Sequence, residues 1–215
     1  MLGNVDRPVY IRRSLVCIDR PVYNGHVNTR NDSGDGQPAA CDRILRAAHD
    51  LFYSDGVRAT GIDRVIAESG VAKLTFYRHY PSKNHLVCAY LNDRHQRWMA
   101  WFVEALARHG GRPEAISLAV GEWLHDPGYR GCAFINSVGE LGSALPEVAE
   151  IARSHKADMT AAIAAVLPTS RQRAKLAQAV ALAIDGAIVR AQFDGSPDAA
   201  LAALDRIVKA LLKTS

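Results

Sequence analysis

Apolar residues recur along most of this chain at the three- and four-residue spacing of a helix, and the breaks between the runs divide it into short and long elements. From Asp42 onward Ile44, Ala48, Leu51 and Phe52 share one face, with Arg43, Arg46, His49 and Asp50 opposite. Gly56 ends that run. Thr60 is placed to cap a second, short helix, with Asp63 three residues on as a capping-box partner and Ile62, Val65 and Ile66 as its apolar stripe. Gly70 stops it where a left-handed residue suits a tight turn, and Val71 follows as a residue able to pack between helices. In the third helix Phe76 and Tyr80 point one way, leaving Lys73, Thr75, Tyr77, Arg78 and His79 outside, until Pro81 ends it. Ser82 caps a long fourth helix to about Arg108, carrying Leu86, Tyr90, Leu91, Trp98, Trp101, Phe102 and Leu106. Beyond Gly110 and Gly111 the pattern predicts helices near 112–124, 131–142, 145–166, 170–193 and 197–213. No stretch alternates with period two, so the expected class is all-α: three helices with a helix-turn-helix, then a larger helical bundle.

Residues 1–40 stand apart. Asn24 to Pro38 is rich in Asn, Asp, Gly and Ser, and the fragment Asp-Arg-Pro-Val-Tyr occurs twice, at Asp6 to Tyr10 and Asp19 to Tyr23. The expected division is an arm over 1–40, a helix-turn-helix unit over 41–85 and a bundle over 86–215. With 48% hydrophobic and 22% charged residues the 215-residue chain can bury a sizeable core. Its net charge of +4 is unevenly placed: +1 in 1–40, +3 in 41–109 and zero in 110–215. A polyanion would therefore be met by the middle block. Cys17, Cys41, Cys88 and Cys132 form no CxxC pair, so neither a zinc site nor a disulfide framework is expected. The segment Ser14 to Ile18 is too hemmed by charge for a signal sequence, and Ala177 to Val189, interrupted by Asp185, is too short to span a bilayer. The expectation is a cytoplasmic protein with no membrane partner, no metal and no cofactor.

Two short helices joined by a glycine turn, the second exposing cations, hydroxyls and an aromatic ring, are what a reader of the DNA major groove requires. The segment from Ala59 to Lys83 resembles the signature of the TetR-type transcriptional repressors: Thr60, the Ile62, Val65 and Ile66 stripe, the Gly70-Val71 turn, the triplet Thr75-Phe76-Tyr77 and the close Pro81-Ser82-Lys83 fall in register. The resemblance is strong from about Ile44 to Leu91; the later segment Arg130 to Asn136 is similar to one in some branches of the family. It implies that Thr60, Lys73, Thr75, Tyr77, His79 and Lys83 lie at DNA, chiefly on phosphates, and that Arg78 is free to read a base. The residue chemistry agrees. Lys73 and Lys83 can neutralise phosphates, Thr75 and Tyr77 can donate hydroxyl hydrogens, and Arg78 can engage guanine through two hydrogen bonds. Against this, Tyr77 could wedge the third helix against the fourth, and His79 could pack a ring face on the first helix.

The resemblance further implies a homodimer built on the last two long helices, a double-stranded DNA operator of palindromic form, and a small-molecule effector held within the bundle. Candidate dimer residues are Val180, Ile184, Ile188, Leu204 and Val208, although such stripes could also close a monomeric bundle. Trp98, Phe102, Trp123, Phe134 and Asp185 are the candidate effector pocket, four aromatic walls and one acid. Cys132 is expected to be an inert packed thiol. The eight histidines are scattered, with no HExxH or GxSxG motif, so enzymatic activity is not expected, and His49, His95, His109, His125 and His155 are expected on solvated faces. A helical protein-interaction adaptor is the competing reading; it accounts for the bundle but not for the exposed face at 73–79.

Overall fold

The computed structural model describes residues 38–213, and the expectations placed on the first 37 residues, including the repeated fragment, lie outside them. Among the described residues the chain forms nine α-helices and no strand: α1 (Ala40–Asp55), α2 (Ile62–Ser69), α3 (Lys73–His79), α4 (Lys83–Arg108), α5 (Glu114–Leu124), α6 (Ala133–Leu141), α7 (Pro146–Val166), α8 (Arg173–Phe193) and α9 (Asp198–Lys213). The all-α expectation holds, and each predicted helix is present.

The first three helices close around Ile44, Ala48, Val65, Val71 and Phe76, with Leu86 of α4 completing the cluster. Gly70 takes φ 61° and ψ 29°, the left-handed turn expected of it, and its N–H donates to the Ala67 carbonyl. A Cβ there would meet only the Arg43 Nη1 atom at 3.7 Å, so space is not what selects glycine; backbone conformation is. Gly70→Ala is accordingly expected to cost about 1–2 kcal/mol of stability, seen as a lower urea midpoint with an unchanged slope.

At the start of α2 the structure departs from expectation. Thr60 is fully buried, and its hydroxyl donates to the Gly56 carbonyl at 2.8 Å and to the Leu51 carbonyl at 3.3 Å. Gly61 occupies the cap position, with no side-chain cap, and Asp63 turns outward to pair with Lys73. The hydroxyl goes where carbonyls at the open end of α1 are buried and need a donor, a demand that only the packed structure creates. Ser82 does cap α4 as expected, accepting the His85 N–H.

Helix α4 runs 26 residues, long enough at ~1.5 Å per residue to join the small N-terminal helices to the bundle, and it packs on α1, α5, α6 and α7. Helices α7, α8 and α9 pack in succession, and α9 returns against α5. By length and composition α8 alone among the described helices could cross a bilayer, with a mean hydropathy of 1.3. In the fold its Ala177, Val180, Ile184 and Ile188 are buried against neighbouring helices, and Asp185 is ion-paired with Lys156 of α7. The core demand of a helical bundle thus accounts for its apolar character.

Candidate functional site

Helix α3 presents the surface that its sequence pattern predicts. Phe76 is wholly buried, while Lys73, Leu74, Tyr77, Arg78 and His79 are exposed and Thr75 is half-buried. Tyr77 packs its ring edge-on against Phe76, with centroids 5.3 Å apart, yet remains 39% exposed, so it is not wedged away between helices. Lys83, half-buried at the start of α4, points its ammonium toward the Arg58 carbonyl at 3.5 Å; burial lowers its pKa and nearby Glu140 opposes that. Lys73 holds a solvent-exposed ion pair with Asp63, N to O 3.2 Å, which is weak enough for a phosphate to displace. Thr60 is the exception among the expected DNA-facing residues: its side chain is spent inside the protein and presents nothing to a groove. Leu74, 73% exposed, was missed by sequence reasoning, which sorted the helix by polar groups; its place one residue after Lys73, opposite Phe76, was the available signal.

Three hydrogen bonds tie the neighbourhood of α1 to that of α6: one from the turn after α1 to α6 itself, and two from α1 to the turn that precedes α6. The Glu140 carboxylate accepts the Arg58 backbone N–H at 2.7 Å. The Tyr53 hydroxyl donates to the Gly131 carbonyl at 2.9 Å and accepts the Arg130 N–H at 3.0 Å. The turn before α6 therefore holds α1, and Glu140 near the end of α6 holds the turn between α1 and α2. Between them lies a cleft of about 300 Å³ whose walls include Phe52, Tyr90 and Ser137.

In the bundle, four of the five residues expected to form a pocket do come together, but they fill the space themselves. Trp98 stacks on Phe102 with centroids 4.7 Å apart and meets Trp123 edge-on at 5.3 Å, and Phe134 stacks on His155 at 3.7 Å. The Trp98 indole N–H is buried with no hydrogen-bond partner. Asp185 does not face a void; Lys156 neutralises it. The five residues expected at a dimer interface are not at the surface of the single chain. Val180, Ile184, Ile188, Leu204 and Val208 are each at most 2% exposed, and they form the seam by which α8 and α9 join the bundle. The apolar face those helices leave open carries Leu182, Val189 and Phe193 on α8 and Ile207 on α9, all exposed. The spacing 182, 189 and 193 was legible as a second stripe, but the denser stripe beside it drew the assignment.

His155 corrects another expectation. It is 2% exposed, with Nδ1 3.2 Å from the His95 Nδ1, and its pKa is pulled down to about 2, first by burial and then by the charges of Lys156, His95 and Arg94. His49, held edge-on against Tyr90, is likewise lowered, by burial and by Arg94 and Arg97. Both rings fill space against aromatic neighbours, which periodicity alone does not reveal. Because the folded chain refuses a proton that the unfolded chain accepts, this contribution to stability is complete above about pH 6.5. As pH falls below that value each such ring removes ~1.4 kcal/mol per pH unit. Urea unfolding at pH 7.5 and 5.5 is expected to show a smaller acid loss in His155→Phe than in the wild type.

The family model described as bacterial regulatory proteins, tetR family, matches residues 44–90, which is α1 to the first turns of α4. An uncharacterized HTH-type transcriptional regulator of Lactococcus lactis is 27% identical over 111 residues, a match covering 49% of this chain and 56% of that protein, so the alignment spans little more than half of its length. A TetR-family transcriptional regulator from Streptomyces coelicolor superposes with a TM-score of 0.71 at 26% identity, covering 81% of this chain and 95% of that one. A TetR-family regulator from Agrobacterium tumefaciens shares the fold, TM-score 0.64 at 21% identity, over 81% of this chain and 96% of the other.

Proposed function

We propose that the chain is a TetR-type DNA-binding regulator that represses transcription as a homodimer on a palindromic operator, which a small-molecule effector makes it release, a reading supported by the family match over 44–90 and the shared fold. The observation that carries the reading is the face of α3. A seven-residue helix exposes Lys73, Leu74, Tyr77, Arg78 and His79 together, anchored from behind by a buried Phe76. In this reading Lys73, Tyr77, His79 and Lys83 hold phosphates, with Thr75 donating from the helix flank. Arg78 reads a guanine edge, and Leu74 supplies apolar contact for a thymine methyl. Thr60 supports the same surface from inside, by fixing the turn from which α2 departs.

The dimer is proposed on the open stripe of α8 and α9, in place of the residues now seen to be core. Leu182, Val189 and Phe193 recur at helical spacing, and Gly186 between them leaves its side of α8 free for close approach of another helix. Two copies joined there would offer two α3 helices to successive major grooves. The three hydrogen bonds that join α1 and the turn after it to α6 and the turn before it supply a physical route by which the bundle can bias the placement of α3.

The test is selection of bound sequences from random DNA, run in parallel on the wild type and on a Lys73→Ala, Tyr77→Ala double variant. An enriched palindrome for the wild type, lost in the variant, is the expected result. Enrichment of nothing by either protein would discard the operator reading and favour a helical adaptor.

A further inference from the structure

The cleft between α1 and α6 has the makings of a ligand site that the sequence did not disclose. Its volume of about 300 Å³ lies at the small end of what small-molecule sites occupy. Two of its walls are buried polar side chains: Tyr90 is 1% exposed and Ser137 3% exposed, and neither hydroxyl makes a hydrogen bond among the described residues. Neither oxygen is among the sealed unpartnered atoms, so both open on the cleft, where a guest with hydrogen-bonding capacity can bond them. Aromatic surface is supplied by Phe52 and Tyr90, whose rings meet edge-on with centroids 5.5 Å apart.

The remaining wall sets the charge. The last turn of α1 lines the cleft, and no turn or loop N–H among the described residues bonds its carbonyls from Phe52 to Asp55. A 16-residue helix ends here with no basic residue in its last turn, and its Asp55 carboxylate is paired with Arg64 at 2.5 Å. Glu140 of α6, whose carboxylate accepts only the Arg58 backbone N–H, supplies the negative charge of the cleft. Arg130 also lines the cleft, with its guanidinium turned to the Pro127 and Tyr129 carbonyls. The open carbonyls, the Glu140 carboxylate and the aromatic faces together favour an organic cation over an anion.

We propose that this cleft is the effector site, and that it takes a small amine carried on a flat apolar body, with the ammonium at the end of α1 and hydrogen bonds to Ser137 and Tyr90. The proposal rests on the effector-responsive reading above and places the effector where α6 grips α1, outside the filled aromatic cluster of the bundle. A guest here bears directly on the Glu140 to Arg58 hydrogen bond and on the end of the helix that carries α2 and α3.

Titration calorimetry on the full chain with benzylamine and phenethylamine, beside benzyl alcohol and phenylacetate as neutral and anionic counterparts, tests it. The amines are expected to saturate one site per chain and the counterparts to bind at least about tenfold more weakly. Ser137→Leu, which fills the cleft, is expected to abolish amine binding, and Tyr90→Phe to weaken it about tenfold, the scale of one lost hydrogen bond in a buried site. Thermal unfolding of both variants confirms that they fold. Absence of amine binding, equal binding by Ser137→Leu, or preference for phenylacetate overturns the site. An operator selected from random DNA in the absence of any amine keeps the two readings separate. If that operator is found and no amine binds, the site fails and the regulator stands. If amines bind but leave the affinity for that operator unchanged, the effector role fails.

Discussion

A chain carrying Leu182→Asp and Ile207→Asp is expected to sediment as a monomer and to bind its operator at least about a hundredfold more weakly than the wild type, the loss that follows when two linked sites become independent. Both side chains are largely exposed in the single chain, so the substitutions leave the packing of α8 and α9 on the bundle untouched. Val180, Ile184, Ile188, Leu204 and Val208 remain in place to hold those helices, and the melting of the monomer itself is expected to change little. Two carboxylates set into an apolar helix pair would face each other's copies without partners, a cost that association cannot recover. Persistence of the dimer in sedimentation at micromolar concentration would move the interface away from this face. The matched change Val180→Asp is expected to do something different, because it buries an unpaired charge in the seam and unfolds the protein instead of dissociating it.

Phe76→Ala is expected to cost about 3–5 kcal/mol in urea unfolding, the range for deleting a buried phenylalanine ring. Phe76 is 0% exposed and touches the rings of both Tyr77 and Tyr80, so its removal leaves a cavity under the surface that would face DNA. The neighbouring Leu74→Ala removes a side chain that is 73% exposed and is expected to leave stability within about 0.5 kcal/mol of wild type. The contrast separates the two sides of α3: one residue holds the helix, the next is offered outward. A small effect of Phe76→Ala would mean that α3 is held by something other than this ring.

The N-terminal part of this protein was legible because each local signal there agrees with its neighbours. Gly70 marks a left-handed turn, Phe76 and Tyr80 share a face four residues apart, Ser82 caps and Pro81 stops, and all four act through the backbone within a few residues of themselves. What failed was long-range. Thr60 has the chemistry of a helix cap, and it serves instead the carbonyls of Leu51 and Gly56, because packing α2 against α1 buries them. The histidines look alike in sequence, and only the packing against Phe134 and Tyr90 decides that His155 is buried and His49 half-buried.

The bundle shows the same division. The pattern of apolar positions determined that 110–213 would be helical and roughly where each helix would begin and end, since hydrophobic periodicity and glycine or proline breaks are local properties of the chain. It could not decide which of two apolar stripes on α8 meets the core and which meets solvent, because both satisfy helical periodicity and the choice depends on what α7 and α9 bring alongside. Nor could it place the cleft. Phe52, Tyr90 and Ser137 lie on three helices far apart in sequence, and their convergence exists only once Tyr53 of α1 bonds the turn before α6 and Glu140 of α6 bonds the turn after α1. Local spacing thus determined the elements and the exposed face of α3; the faces that bury, the groups left unsatisfied and the volume between helices were decided by tertiary packing, where each residue's environment is made by others remote from it in the chain.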